Sequence, residues 1–167
     1  MVLGLAAVLA IAACVRLGGL RPRFGPLPGS VALELETQPE TAIGAAAREV
    51  QAAGLRVAVA DPAEGYLETA WYDVRRRATV SGRARDLDQI VRMRFFADPL
   101  AGKTRLAAEC VRRIADDPSQ PERDLERMAP DSSPGRVLLD SILSRLKTAY
   151  PPSAPVPPIP TPAGSPP

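Results

Sequence analysis

The sequence predicts an α+β domain of two layers over residues 30–150: an antiparallel sheet of about five strands with two helices packed on one face, in the order β-α-β-β-β-β-α. Three observations carry this. Apolar and polar residues alternate in five short stretches, the two-residue period of strands buried on one side. Two longer stretches repeat at helical spacing, each with a capping hydroxyl and a proline at its start and a glycine or proline after its end. The strands also come in closely joined pairs, and short connections force antiparallel pairing.

The first strand is predicted from Val31, Leu33 and Leu35 alternating with Ala32, Glu34 and Glu36. Thr37-Gln38-Pro39-Glu40 then has the spacing of a capping box, in which Thr37 accepts a first-turn amide and Glu40 reaches back. The helix that follows carries Ile43, Ala46, Ala47, Val50 and Ala53 on one face and stops at Gly54. So many alanines on the inward face place its backbone close to the sheet. Leu55, Val57 and Val59 alternate again and pair, through the turn at residues 61–65, with a longer strand over residues 66–74.

A second hairpin is expected from residues 90–97 and 104–111, joined through residues 98–102. Its alternation puts Val91, Met93, Phe95, Leu106, Ala108 and Cys110 on one face. Arg92, Arg94, Lys103, Arg105 and Glu109 fall on the other, which reads as a solvated, charged surface. Ser119 and Glu122 have the spacing to cap a short helix over residues 121–128. Ser132-Ser133-Pro134 opens the last helix, with Val137, Leu138, Ile142, Leu143 and Leu146 at helical spacing up to Tyr150.

The two ends of the chain have a different character. Residues 1–13 are an apolar run too short for the roughly 20 residues of a membrane span, and they end in Ile11-Ala12-Ala13-Cys14. Small residues before a cysteine after such a run resemble the lipobox of bacterial lipoproteins. That resemblance implies a signal peptide over residues 1–13, with Cys14 as the lipidated first residue of the mature protein. Residues 14–29, rich in Gly and Pro, are expected to form a flexible tether. Residues 151–167 hold nine prolines and are expected to form a disordered tail.

Catalytic chemistry is hard to find in this composition. The chain has no His, the commonest general base and metal ligand. With Cys14 lipidated, Cys110 is the one remaining thiol, predicted to be a buried hydrophobe in place of a nucleophile. Asp116, Asp117, Asp124 and Asp131 lack the ligand spacing of a calcium loop. Glu34 and Glu36 share a strand face and are expected to pair with arginines. No phosphate-cradling glycine loop joins a strand to a helix. The expectation is a non-enzymatic protein with no metal and no cofactor.

Arginine is the one surface feature above background, with 21 Lys and Arg against 19 Asp and Glu. Arg75, Arg76, Arg77, Arg83 and Arg85 crowd a loop of small residues, and Arg92 and Arg94 add to them from the charged sheet face. Guanidinium forks hold phosphate and carboxylate in two-pronged contacts, so these seven are the candidate anion-binding residues. A net charge of +2 does not point to nucleic acid. Trp71 and Tyr72 are candidate stacking groups, although strand aromatics more often fill a core.

The element order, together with Cys14, Val50-Gln51-Ala52-Ala53-Gly54-Leu55 and Gly65-Tyr66-Leu67-Glu68-Thr69-Ala70-Trp71, resembles the helix-grip domains of BamC-type outer-membrane lipoproteins. The resemblance is one of architecture. It implies an envelope lipoprotein, held to the membrane by its lipidated N-terminus on the periplasmic side of the outer membrane, that serves a protein partner as an accessory module. The alternatives are a binding protein for an anionic envelope lipid or polymer, and an enzyme without a recognisable motif, whose sign would be a buried polar cluster with shifted pKa values.

Overall fold

A computed structural model of the chain describes residues 19–80 and 86–151. Cys14, Arg83, Arg85 and the proline-rich tail after residue 151 lie outside the described residues. The fold is the expected α+β class, an open antiparallel sheet with two helices on one face. The strands are β1 (Val31–Leu35), β2 (Val57–Asp61), β3 (Tyr66–Thr69), β4 (Tyr72–Asp73), β5 (Ala78–Thr79), β6 (Ile90–Leu100), β7 (Lys103–Arg113) and β8 (Glu126–Met128). The helices are α1 (Pro39–Ala52) and α2 (Pro134–Ala149). The main sheet runs β1-β7-β6-β3-β2, with β4 and β5 added beside β6 and β8 beside β7. Eight strands replace the expected five because the single strand expected over residues 66–74 is broken at residues 70–71 into β3 and β4, and β5 and β8 are too short to display a period.

The central hairpin, β6 with β7, is longer than the alternation predicts. Residues 98–100 continue the ladder, and Ala101 and Gly102 form the turn with φ of 40° and 85°. Two successive positive φ values match the twist of the flanking strands, which makes a two-residue turn possible. The alternation itself holds: Val91, Met93, Phe95, Leu106, Ala108 and Cys110 all enter the core beneath the helices. Helix α1 adds Ala42, Ile43, Ala45, Ala46 and Val50, and its small residues bring it close to the sheet. Gly135 does the same for α2, since a Cβ there would lie 2.7 Å from Val91 and 3.1 Å from Cys110 Sγ.

Four local expectations are corrected. Helix α1 is capped at Gln38 without a side-chain bond, and the Thr37 carbonyl accepts the Thr104 hydroxyl instead, so the capping box does not form. In α2, Ser133 caps as expected, but the buried stripe runs through Leu139, Ile142, Leu143 and Leu146 while Val137 is 59% exposed. The expected helix at 121–128 is a single 3-10 turn (Glu122–Leu125) running into β8, because Ser119 bonds to Asp117 and caps nothing. Finally, a bulge between Val57 and Val59 breaks the alternation of β2. Val57 therefore joins the helix-side core, whereas Val59 packs with Tyr66 and Phe96 on the opposite face.

That opposite face carries the largest correction. Arg92 and Arg94 are 9% and 2% exposed, and Glu109 is fully buried, so this side of the sheet is not a solvated surface. It is covered by residues 19–29, expected as a free tether, and by residues 121–126. The Leu20 amide donates to Asp61, Arg21 pairs with Asp98 at 2.7 Å, and the Leu27 amide donates to Glu109 at 2.7 Å. These bonds make the segment an irregular strap across the sheet.

Two turn substitutions should move stability in opposite directions. Gly65 has φ +67°, and a Cβ there would lie 2.2 Å from the Ala97 carbonyl oxygen. Gly65→Ala should cost about 2–4 kcal/mol through backbone strain and overpacking. Ala101→Asn, at an exposed position that already has positive φ, should gain several tenths of a kcal/mol. Denaturant titration of both variants measures the two signs.

Candidate functional site

The strap closes over a lattice of guanidinium and carboxylate groups that three neighbouring strands assemble by register. Glu68 on β3 stands opposite Arg94 on β6, which stands opposite Glu109 on β7. Directly opposed residues share a sheet face a few ångströms apart, so the row brings one cation between two anions. Glu126, delivered from outside the main hairpin by β8, completes the surround. Arg94 donates Nη1 and Nη2 to the two Glu126 oxygens at 2.6 and 2.7 Å, Nη1 to Glu109 at 3.1 Å, and Nε to Glu68.

A second guanidinium balances the extra negative charge. Arg123, in the 3-10 turn, donates to both Glu109 oxygens and to the strap carbonyl of Gly25. The Phe24 ring of the strap lies 4.4 Å from the Arg123 guanidinium and 5.4 Å from that of Arg94. At the margin, Glu122 accepts from Trp71 Nε1 at 2.9 Å, Arg92 at 3.0 Å and Arg113 at 2.6 Å. Trp71 is taken up within the chain, with the Arg92 guanidinium 4.3 Å from its ring, while Tyr72 fills the core.

The titration shifts describe groups locked in one state. Although burial pushes it up, the bonds from Trp71 and Arg92 hold the Glu122 carboxyl at about 2. Burial, reinforced by Glu68, raises the Tyr66 hydroxyl above its ordinary range. Burial works against the charge of Arg94, but the bonds to Glu126 and Glu68 outweigh it and the net shift is upward. Each of these three shifts runs away from neutrality, whereas a general acid or base needs a pKa near the working pH. Cys110 lies on the helix side of the sheet, where burial pushes its thiol up to about 12, as suits a core residue.

Beside the lattice, between strap and sheet, is a cleft of about 430 Å³. Leu20, Pro22, Phe24 and Val59 form its apolar wall, and Glu68, Arg92, Arg94 and Arg123 its polar floor. The five candidate arginines among the described residues do not share one place. Arg92 and Arg94 belong to the lattice, while Arg75, Arg76 and Arg77 are exposed on the β4–β5 turn at the far end of β6. Arg75 pairs with Asp86 at 3.7 Å and Arg76 with Asp73 at 3.4 Å. Arg83 and Arg85 lie outside the described residues. Of the other charged positions, Glu36 pairs with Lys103 at 2.7 Å. Among the described residues no group of His, Cys, Asp and Glu is arranged to hold a metal.

Sequence reasoning missed Glu68, Glu126 and Arg123 as members of one cluster. Glu126 sits in a three-residue strand with no period to read, and Arg123 in a single turn. The Phe24 and Leu27 side chains, apolar residues within a Gly/Pro stretch, are the signal that could have revealed the cover. No protein-family model matches this chain, and no curated protein matches it.

Arg94→Met should cost about 3–5 kcal/mol, because it leaves Glu109 and Glu126 buried without their main partner. Adding Glu109→Gln and Glu126→Gln should recover part of that loss, which chemical denaturation of the single and triple variants can compare. The acid limb of stability is a separate test. Glu122 titrates near 2 folded against an ordinary 4.5, so its contribution is complete above pH 4.5 and is lost as pH falls toward 2. Melting curves over that window should fall less steeply for Glu122→Gln than for the parent.

Proposed function

We propose that this protein is a non-enzymatic lipoprotein of the bacterial envelope, anchored by Cys14 and acting as an interaction or accessory module of an outer-membrane complex. The observation that carries the reading is Ile11-Ala12-Ala13-Cys14 at the end of an apolar run of signal-peptide length. A lipidated cysteine with two or more acyl chains attaches a domain stably, at about 0.8 kcal/mol per buried methylene. The α+β domain is then presented at a membrane surface without crossing it. The likeness in architecture to BamC-type lipoproteins supports an accessory role.

The lattice supports a role without catalysis, because its shifted groups are fixed far from neutral pH and its charges are spent on one another. A buried ionic network of this kind holds a surface in one shape. A second reading, recognition of an anionic lipid or polymer, rests on the exposed Arg75, Arg76 and Arg77. Such binding would weaken steeply with salt, since exposed charges are screened over about 10 Å at 0.1 M.

Cys14→Ser should move the protein from the membrane fraction to the soluble fraction while leaving its melting temperature unchanged. Intact mass of the native protein should show Cys14 as the first residue, carrying acyl chains. An unmodified Cys14 with residues 1–13 still attached would overturn the reading. For the second reading, reversal of Arg75, Arg76 and Arg77 to Glu should abolish salt-sensitive sedimentation with anionic vesicles; no sedimentation by the parent would dismiss it.

A further inference from the structure

The strap ties the chain to one end of the sheet. Leu20 is bonded to Asp61 at the end of β2, and Arg21 reaches both the Glu64 carbonyl at 3.0 Å and Asp98 at 2.7 Å. These contacts gather the β2–β3 turn and the tip of the β6–β7 hairpin at the point where the described chain begins. Only four residues lie between Cys14 and Gly19, so the two are at most about 18 Å apart even when that stretch is fully extended. Acyl chains on Cys14 would therefore hold this end near the bilayer, within less than one domain diameter.

The same end is apolar at its tip. Leu20 is 64% exposed and Leu100 40% exposed, two of the few large hydrophobic side chains left open on the described surface. Pro99-Leu100-Ala101-Gly102 contains no charge, and Pro62 and Ala63 are exposed beside it. Arg21 pairs with Asp98 and Lys103 with Glu36 beside the tip. Glu64 and Glu40 stand at the rim. Exposed apolar groups at a point held against lipid enter the interface, and a turn tip without charge carries little desolvation cost on entry.

The geometry points to a membrane-seated end: the β6–β7 tip, with Leu100 at its centre, and Leu20 of the strap rest in the bilayer that holds Cys14. This deepens the lipoprotein reading and rests on it. The occupant is the lipid interface itself. The opposite end follows from the length of β6, since Ile90 to Asp98 spans about 26 Å along the strand. Strand β4 pairs with the start of β6, so the β4–β5 turn that follows it, with Arg75, Arg76 and Arg77, faces away from the anchoring membrane. Whatever meets those arginines meets them from the other side.

The test uses the full lipidated chain with a single label. Leu100→Cys and, separately, Ala78→Cys at the far turn are modified with a nitrobenzoxadiazole thiol probe; the buried Cys110 does not compete. Both positions are exposed, so neither substitution touches the core. The proteins are reconstituted in phosphatidylethanolamine and phosphatidylglycerol vesicles carrying a spin label on the acyl chains. The probe at residue 100 should emit to the blue and be quenched several-fold more than the probe at residue 78. Water-like emission at residue 100 in a protein that floats with the vesicles overturns the seated end and leaves the anchor reading standing. Greater quenching at residue 78 overturns the orientation. A protein that neither floats nor carries acyl chains by mass overturns both.

Discussion

The fold depends on the placement of one guanidinium. Arg94 is 2% exposed in the middle of the central strand, and a cation in that position is tolerable only when carboxylates reach it from several sides. Register supplies Glu68 and Glu109. These do not suffice, since Glu109 is itself fully buried and needs partners of its own. The rest of the second face follows from that need. Strand β8 brings Glu126, the 3-10 turn brings Arg123, and the strap brings the Leu27 amide and the Gly25 carbonyl. The irregular parts of the chain are in this sense specified by charge satisfaction, as the helices are specified by apolar burial.

The two faces of the sheet are therefore closed by different physics. On one side, alanine-rich α1 and the Gly135 start of α2 let helices lie close over Val91, Phe95, Leu106 and Cys110. On the other, a small apolar patch of Tyr66, Phe96 and Val59 adjoins the ionic lattice, and Phe24 spans the two by stacking on arginines. An ionic layer of this sort contributes less to stability than an apolar one of equal size, but it permits fewer alternative arrangements.

Periodicity made the helix side legible. The alternation in β6 and β7 named the correct core residues, and Gly54 and Ser133 marked real helix ends, Gly54 with φ +84°. The other side was not legible, because alternating Arg and Glu read the same whether they meet water or one another. What decides between the two is a cover far away in sequence, and a Gly/Pro stretch shows no period that would announce one. The bulge in β2 was invisible for a similar reason, since Val57 and Val59 on opposite faces leave the same string of letters as on one face. Of the candidate anion-binding residues, Arg92 and Arg94 lie within the buried lattice, bonded to carboxylates of the chain itself, where alternation alone put them on a solvated face.

The strap is part of the folded domain, tied to it by the Leu20 and Leu27 amides and by Arg21. Native-state hydrogen exchange of the Leu27 amide, which donates to the buried Glu109 carboxylate, addresses that directly. The Leu27 amide should show protection approaching that of the central β7 amides, lost together with theirs on global unfolding. Exchange of Leu27 at the rate of a free peptide, while β7 remains protected, would contradict it.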